Sequence, residues 1–195
     1  MEIEAKFLIE NPNELENFLN NFVNPIKLEI DDIYFDNKQL NLLKNYHCAF
    51  RIRKENEKFY FTIKRKIESD NNLFKRIEIE KEITKEMYEK LRRSEFYFYF
   101  DDIKLKIFPI IEIFSRRKLY LIGNLKVSVD KVFLSDKTIM NFLEIEGDEE
   151  EILKFVMELK NKFNLIEWKT SKLETALLCL VNDVKFLIIN NLWKF

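Results

Sequence analysis

Glu2-Ile3-Glu4-Ala5-Lys6 opens the chain with charged and apolar residues in strict alternation. Period-two alternation marks a strand with one polar and one apolar face, so Glu2, Glu4 and Lys6 point the same way. Two carboxylates and an ammonium on one face have the composition of a metal-phosphate site, with oxygens for a divalent cation and a cation for an anionic ligand. A solvated strand whose charges pair with neighbouring strands has that composition too. The segment gains meaning from recurrence, because later strands repeat the pattern with charges of a particular kind.

Period two returns from Lys27 through Ile33-Tyr34-Phe35-Asp36, where Asp36 reads as a strand-end turn residue. Ala49-Phe50-Arg51-Ile52-Arg53 then sets two guanidinium groups on one face. A turn at 55–58 leads into a second strand that carries Lys64 on the same side. A basic surface hairpin would look like this, yet two arginines at period two also suit two-pronged contact with phosphate. After a polar hairpin loop at 68–72, Arg76-Ile77-Glu78-Ile79-Glu80 places base and acid together on one face. Residues 103–113 read as a strand interrupted at Pro109, which suits an edge or a bulge. Phe114-Ser115-Arg116-Arg117 follows, then 119–122 and a turn at Gly123-Asn124. Residues 126–133 form a strand carrying Asp130, and Glu144 and Glu146 face one way on the last strand of the series.

Helical periodicity is confined to four places. One helix starts at Asn11-Pro12 and ends near Pro25, and Thr84 caps another over 85–93. An amphipathic helix over 148–163 buries Ile152, Phe155, Val156 and Leu159, with acids in its first turn that favour its dipole. Thr170 or Ser171 caps a last helix through Leu180, and an apolar tail runs on to Phe195. The whole reads as one domain, 1–195, with a C-terminal helical segment from about 148.

Composition narrows the chemistry. Lys plus Arg number 33 against 34 Asp plus Glu, so no global basic field points to nucleic acid or an anionic membrane. Two separated cysteines and the single His47 exclude the familiar Cys/His zinc clusters, and any metal here is hard and oxygen-bound. Gly123 and Gly147 are the sole glycines, which excludes a Walker loop, a dinucleotide fingerprint and a nucleophile elbow. Phosphates, if bound, are bound by side chains. Neither a leader-like start nor an apolar run of about 18 residues occurs, and the expectation is a cytoplasmic protein away from membranes.

These strands, joined by short polar turns, imply an α+β protein: an antiparallel sheet or closed barrel with helices packed outside. The faces opposite the charges carry Ile3, Ala5, Phe7, Phe50, Ile52, Phe61, Ile63, Ile77 and Ile79, and these need cover. A barrel turned inside out meets the need, with charges lining the lumen and apolar faces against the helices. Its lumen would hold Glu2, Glu4, Glu78, Glu80, Glu144 and Glu146 with Lys6, Arg51, Arg53, Lys64, Arg76 and Arg116. Buried charges of both signs are costly unless a ligand satisfies them, and a metal-bound polyphosphate satisfies both sets.

The ordered set resembles the CYTH proteins, or triphosphate tunnel metalloenzymes. It comprises E-x-E-x-K at Glu2, Glu4 and Lys6, R-x-R at Arg51 and Arg53, the strand of Lys64, R-x-E-x-E at Arg76, Glu78 and Glu80, then Arg116, Asp130 and E-x-E at Glu144 and Glu146. The resemblance covers the whole strand region. It implies a closed eight-stranded antiparallel barrel whose carboxylates hold a divalent metal and whose bases hold a triphosphate. On that basis the expected metal ligands for Mg²⁺ or Mn²⁺ are Glu2, Glu4, Glu144 and Glu146, and the substrate-binding set is Lys6, Arg51, Arg53, Lys64, Arg76 and Arg116. Glu78, Glu80 and Asp130 are the candidates for orienting water.

The implied activity is hydrolysis of inorganic or nucleoside triphosphate. A class IV adenylyl cyclase and a non-catalytic polyphosphate or nucleotide binder are the alternatives, and a homodimer is compatible with the apolar tail. Two departures stand out. Phe114 replaces the family's lysine two positions before Arg116, and Ser171-Lys172 replaces a frequent Ser-Tyr.

Overall fold

Apolar residues alternating with the charges need cover on one side and the charges need company on the other, and rolling the sheet into a ring supplies both. The computed structural model describes residues 1–68, 73–134 and 138–181. Within them β1 (Glu2–Ile9), β2 (Ile26–Asp36), β3 (Cys48–Glu55), β4 (Lys58–Glu68), β5 (Leu73–Glu82), β7 (Ile103–Ile122), β8 (Leu125–Phe133) and β9 (Ile139–Glu146) form the ring. Its order is β1-β5-β4-β3-β2-β7-β8-β9, antiparallel throughout and closed by β9 pairing with β1. The first strand closes it by a stagger: Glu2–Ala5 pair with β5, Glu4–Leu8 pair with β9, and Phe7–Ile9 pair with the short β10 (Leu165–Glu167). Closure removes the edges that an open sheet would leave unpaired.

The outward residues are the apolar ones, as the inside-out reading requires, but the cover expected over Ile77 and Ile79 is missing, and the two stay 45% and 44% exposed on β5. Ala5, Phe7, Val127, Val129, Leu143 and Ile145 pack against Leu15 and Leu19 of α1 (Pro12–Leu19) and against Ile152, Phe155, Val156 and Leu159 of α4 (Glu149–Lys160). On another flank Ile33, Phe35, Phe50, Ile52, Phe59 and Ile63 are covered by Leu42 of α2 (Asn41–Tyr46) and Tyr88 of α3 (Lys85–Leu91). Covering that flank too is a ribbon made of β6 (Phe96–Phe100) and the first part of β7. Asp36 acts as the turn residue expected of it, accepting the backbone N–H groups of Asn37, Leu42 and Leu43 at the start of α2. The short α2 itself gives no helical signature in sequence. β7 is longer than the sequence pattern suggests, because Pro109 sits at a bulge where the register against β2 slips by one residue between Tyr34 and Phe35.

The inward face changes character along the barrel. Glu2, Glu4 and Lys6 lead to Leu8, Glu146 and Glu144 lead to Phe142 and Met140, Arg117 leads to Ile113, and Asp130 leads to Val132. Into this apolar end packs α5 (Lys172–Val181), whose Leu173 and Ala176, with Trp168, meet Tyr34, Ile113, Val132, Met140 and Phe142. Ser171 caps it in a reciprocal box, accepting from Glu174 N–H while the Glu174 carboxylate accepts from Ser171 N–H. Residues 69–72 of the predicted hairpin loop and the apolar tail 182–195 lie outside the described residues.

Leu159→Ala should therefore destabilise by about 2–5 kcal/mol, the cost of emptying a buried leucine site. Met157→Ala, on the exposed side of the same helix, should stay within about 0.5 kcal/mol. Urea unfolding of both variants checks this.

Candidate active site

A polar cavity of about 740 Å³ occupies the barrel interior. Its basic wall is organised by two aspartates that no solvent reaches. Asp32, on β2, faces Arg53 across the β2–β3 pair, and the Arg53 Nε–H and Nη2–H donate to its two oxygens at 2.7 and 2.9 Å. Arg51 Nη1 reaches the same carboxylate at 3.5 Å. Asp130, on β8, is gripped in the same two-pronged way by Arg117 at 2.7 and 2.6 Å. Lys172 Nζ, from the first turn of α5, lies 2.7 Å from Asp130 Oδ2. The Arg117 Nη2 also donates to Glu144 at 2.6 Å, and Glu144 lies 3.3 Å from Lys6 Nζ.

The acidic wall lies toward the ends of strands β1, β5 and β9. Glu2 accepts from Lys64 at 2.7 Å, Lys64 also stands 3.2 Å from Glu78, and Glu4 is 3.1 Å from Arg76. Thr62 Oγ1 donates to Glu80 and Lys126 Nζ to Glu146. Glu4 and Glu146 are direct cross-strand neighbours with side chains on the same face, an arrangement in which like charges repel.

Burial and pairing set the charge states. Burial alone would raise the Asp32 carboxyl, but the guanidinium groups of Arg51 and Arg53 outweigh it and hold the group well below the usual range. Burial opposes ionisation of Asp130 and Glu144 too; Arg117 and Lys172 hold Asp130 down, and Lys6, Lys172 and Arg117 hold Glu144 well down. Lys172 moves the other way for an ammonium, because loss of hydration and the nearby Arg117 outweigh the attraction of Asp130 and lower its pKa.

Among the predicted residues, Glu2, Glu4, Lys6, Arg51, Arg53, Lys64, Arg76, Glu78, Glu80, Glu144 and Glu146 all line the cavity, and Asp130 anchors its wall. Arg116 does not. Its side chain is 62% exposed on the outer surface, 3.4 Å from Glu29, and Arg117 takes the inward position. The reason is register: counting back from the Gly123-Asn124 turn pairs Arg117 with Asp130 and Arg116 with Lys131. That count was available from the sequence, since the turn is legible there. The same correction applies to Phe114, which stacks on Phe133 at 5.3 Å on the outer face. The inward residue two positions before Arg117 is Ser115, whose buried Oγ has no hydrogen-bond partner among the described residues.

Sequence reasoning missed Asp32 and Lys172. Asp32 could have been found by parity, since it stands two residues before Tyr34 and opposite Arg53. Lys172 stood out only as a departure from the family's Ser-Tyr, and its place in the lumen left no local pattern, because a helix docking into a barrel end leaves none.

Residues 1–175 match the CYTH domain. The chain belongs to the CYTH family. Solved structures agree on the barrel. A candidate adenylyl cyclase from Hippeastrum with a dominant triphosphatase activity is 19% identical, with a TM-score of 0.73 over 90% of this chain and 95% of its own. The PH1819 protein of Pyrococcus horikoshii is 22% identical at a TM-score of 0.65, covering 93% and 100%. A candidate adenylate cyclase from Bacillus halodurans is 19% identical at 0.68, covering 89% and 96%. At these identities the likeness speaks for the CYTH fold alone. Among curated proteins none matches the chain.

Asp32→Asn should destabilise this CYTH barrel by about 3–5 kcal/mol, since it leaves buried guanidinium groups without their anion. A carboxyl whose folded pKa lies below its unfolded value contributes stability above about pH 4 and loses it as pH falls toward the folded value. The wild type should therefore lose stability steeply below about pH 4, and Asp32→Asn should show a shallower slope there. Denaturant titrations at a series of pH values read both effects.

Proposed function

We propose that the chain hydrolyses a triphosphate, inorganic or nucleoside, within the barrel lumen. The observation that carries this reading is the pre-positioning of Arg51 and Arg53 by Asp32, and of Arg117 and Lys172 by Asp130, along one polar cavity. Donors held in place before the ligand arrives stabilise charge that develops on phosphate oxygens without a reorganisation cost. Lys6, Lys64 and Arg76 add cations that are paired with carboxylates in this geometry and free to exchange them for phosphate. Arg117 and Lys172 stand in this set where Arg116 was expected.

Asp130 is read as a positioning residue, because both its oxygens are engaged by Arg117 and Lys172. Glu78 and Glu80 keep the role of orienting an attacking water. Among the described residues no three acidic, cysteine or histidine side chains gather as a ready metal cage. Mg²⁺ needs none, since it is bound by one or two carboxylates together with substrate phosphates. The all-oxygen donor set fits such an ion, and the repulsion between the facing Glu4 and Glu146 is what a cation would relieve. Glu2, Glu4, Glu144 and Glu146 would hold Mg²⁺ or Mn²⁺, which when bound withdraws charge from the phosphate oxygens it touches.

Phosphorus NMR of the products tests the reaction. Orthophosphate released from triphosphate or ATP in the presence of Mg²⁺ or Mn²⁺ supports hydrolysis. Pyrophosphate with cyclic AMP would replace it with cyclase activity, and unchanged ligand would replace it with binding alone. Arg117→Ala and Arg53→Ala should each cut turnover by about a hundredfold or more, the scale of losing one pre-positioned donor. Arg53→Lys should recover it incompletely, because an ammonium lacks the two-pronged geometry. Arg116→Ala and Lys54→Ala, one residue along and facing outward, should leave turnover unchanged.

Triphosphate with Mg²⁺ should also raise the melting temperature far more than orthophosphate at equal concentration, by mass action on the folded state. Equal shifts would mean a generic anion patch.

A further inference from the structure

The ribbon of β6 and β7 lies on the barrel with two unlike faces. Phe96, Phe98 and Phe100 point inward, where Phe96 and Phe98 pack on Phe50 at 5.8 and 5.4 Å between ring centres. Tyr97 and Tyr99 point outward and are 58% and 64% exposed. Lys104 Nζ stands 5.8 and 5.6 Å from their ring centres. Among the described residues β6 pairs with β7 alone, and no loop backbone bonds to it. The two-residue turn Asp101-Asp102 closes on the Phe100–Ile103 pair. Alternation then directs the backbone groups of Phe96, Phe98 and Phe100 toward β7, and those of Tyr97 and Tyr99 toward the open edge.

Exposed edges are ordinarily blunted by charge, proline or a bulge. β6 has none of these within Phe96–Phe100. Its sequence, Phe-Tyr-Phe-Tyr-Phe, is instead a palindrome. Antiparallel pairing of such a strand with itself matches every residue: Phe98 faces its own counterpart, Tyr97 faces Tyr99 of the second copy, and Phe96 faces Phe100. The open-edge N–H and C=O groups of Tyr97 and Tyr99 are the ones such a pair exchanges. The tyrosine rings meet across the pair on the outer face, where aromatic cross-strand contacts stabilise.

We propose that β6 is the interface of a weak, two-fold symmetric dimer of this chain, formed by edge-to-edge pairing of β6 with β6. Glu95, bonded to Lys106, and Asp101, bonded to Arg65, flank the strand. Continuing the register sets Glu95 opposite Asp101 of the second copy, and that repulsion ends the pairing after the aromatic residues. An isologous contact uses up both edges and stops at two chains. An interface this small places the association in the transient class.

Sedimentation velocity from about 1 µM to about 1 mM, the range of weak complexes, is the test. The wild type should pass from one chain to two as concentration rises. Tyr97→Pro removes one open-edge N–H at a position where an edge strand tolerates proline, and it should stay at one chain with its melting temperature little changed. The double variant Tyr97→Lys/Tyr99→Lys keeps every N–H but sets lysines opposite one another, and it should also stay at one chain. It serves as the check if the proline variant misfolds. A wild type still at one chain near 1 mM, growth beyond two chains, or folded variants that dimerise like wild type would each overturn the proposal.

Discussion

A guanidinium moved from water into a barrel interior costs several kilocalories per mole unless an anion meets it in good geometry, and Asp32 and Asp130 meet Arg53 and Arg117 with both oxygens. Everything else in the lumen is arranged around these two contacts. They sit on strands separated by β7, so each fixes the basic residues of its own neighbourhood: Arg51 and Arg53 on one side, Arg117 and Lys172 on the other. Paired buried ions are weak stabilisers compared with apolar packing. Their value, on the proposed reading, is that the donors are already aimed before an anionic ligand arrives.

The glutamates behave differently. Glu80 accepts only from the Thr62 hydroxyl and is exposed, whereas the others are each held by a base; of these Glu78 and Glu146 are only partly buried, and Glu146 pairs with a largely exposed Lys126. Such contacts contribute little in water and can be exchanged for a cation or a phosphate at small cost. The barrel thus combines a firmly set basic wall with an adaptable acidic one. The apolar inward residues beyond Lys6, Glu144 and Asp130, covered by α5, exclude water from the far side of this arrangement and lower the pKa of Lys172.

Much of this was legible locally. Strict alternation at Glu2–Lys6, at Arg51–Arg53 and at Glu144–Glu146 assigns each residue to a face without any knowledge of its neighbours, because successive side chains of a strand point to opposite sides. The apolar partners Ala5, Phe7, Phe50, Ile52 and Ile63 required cover, and that requirement led to an inside-out barrel. The assignment failed at Arg116, where two adjacent arginines offer both parities and the choice rests on pairing with β8 across the Gly123-Asn124 turn. Phe114 fell with it, since the two residues share a face.

Amino-acid order by itself therefore determined which strands carry charge, which face each charge occupies, and that their opposite faces seek helices, since these follow from the period of the chain. Tertiary structure decided what depends on distant segments meeting. It brought Asp32 opposite Arg53 and carried Lys172 to the lumen on a helix far along the chain. The physical reason is that a face is set by backbone geometry within a few residues, whereas an ion pair is set by register and docking, which only the closed and plugged barrel supplies.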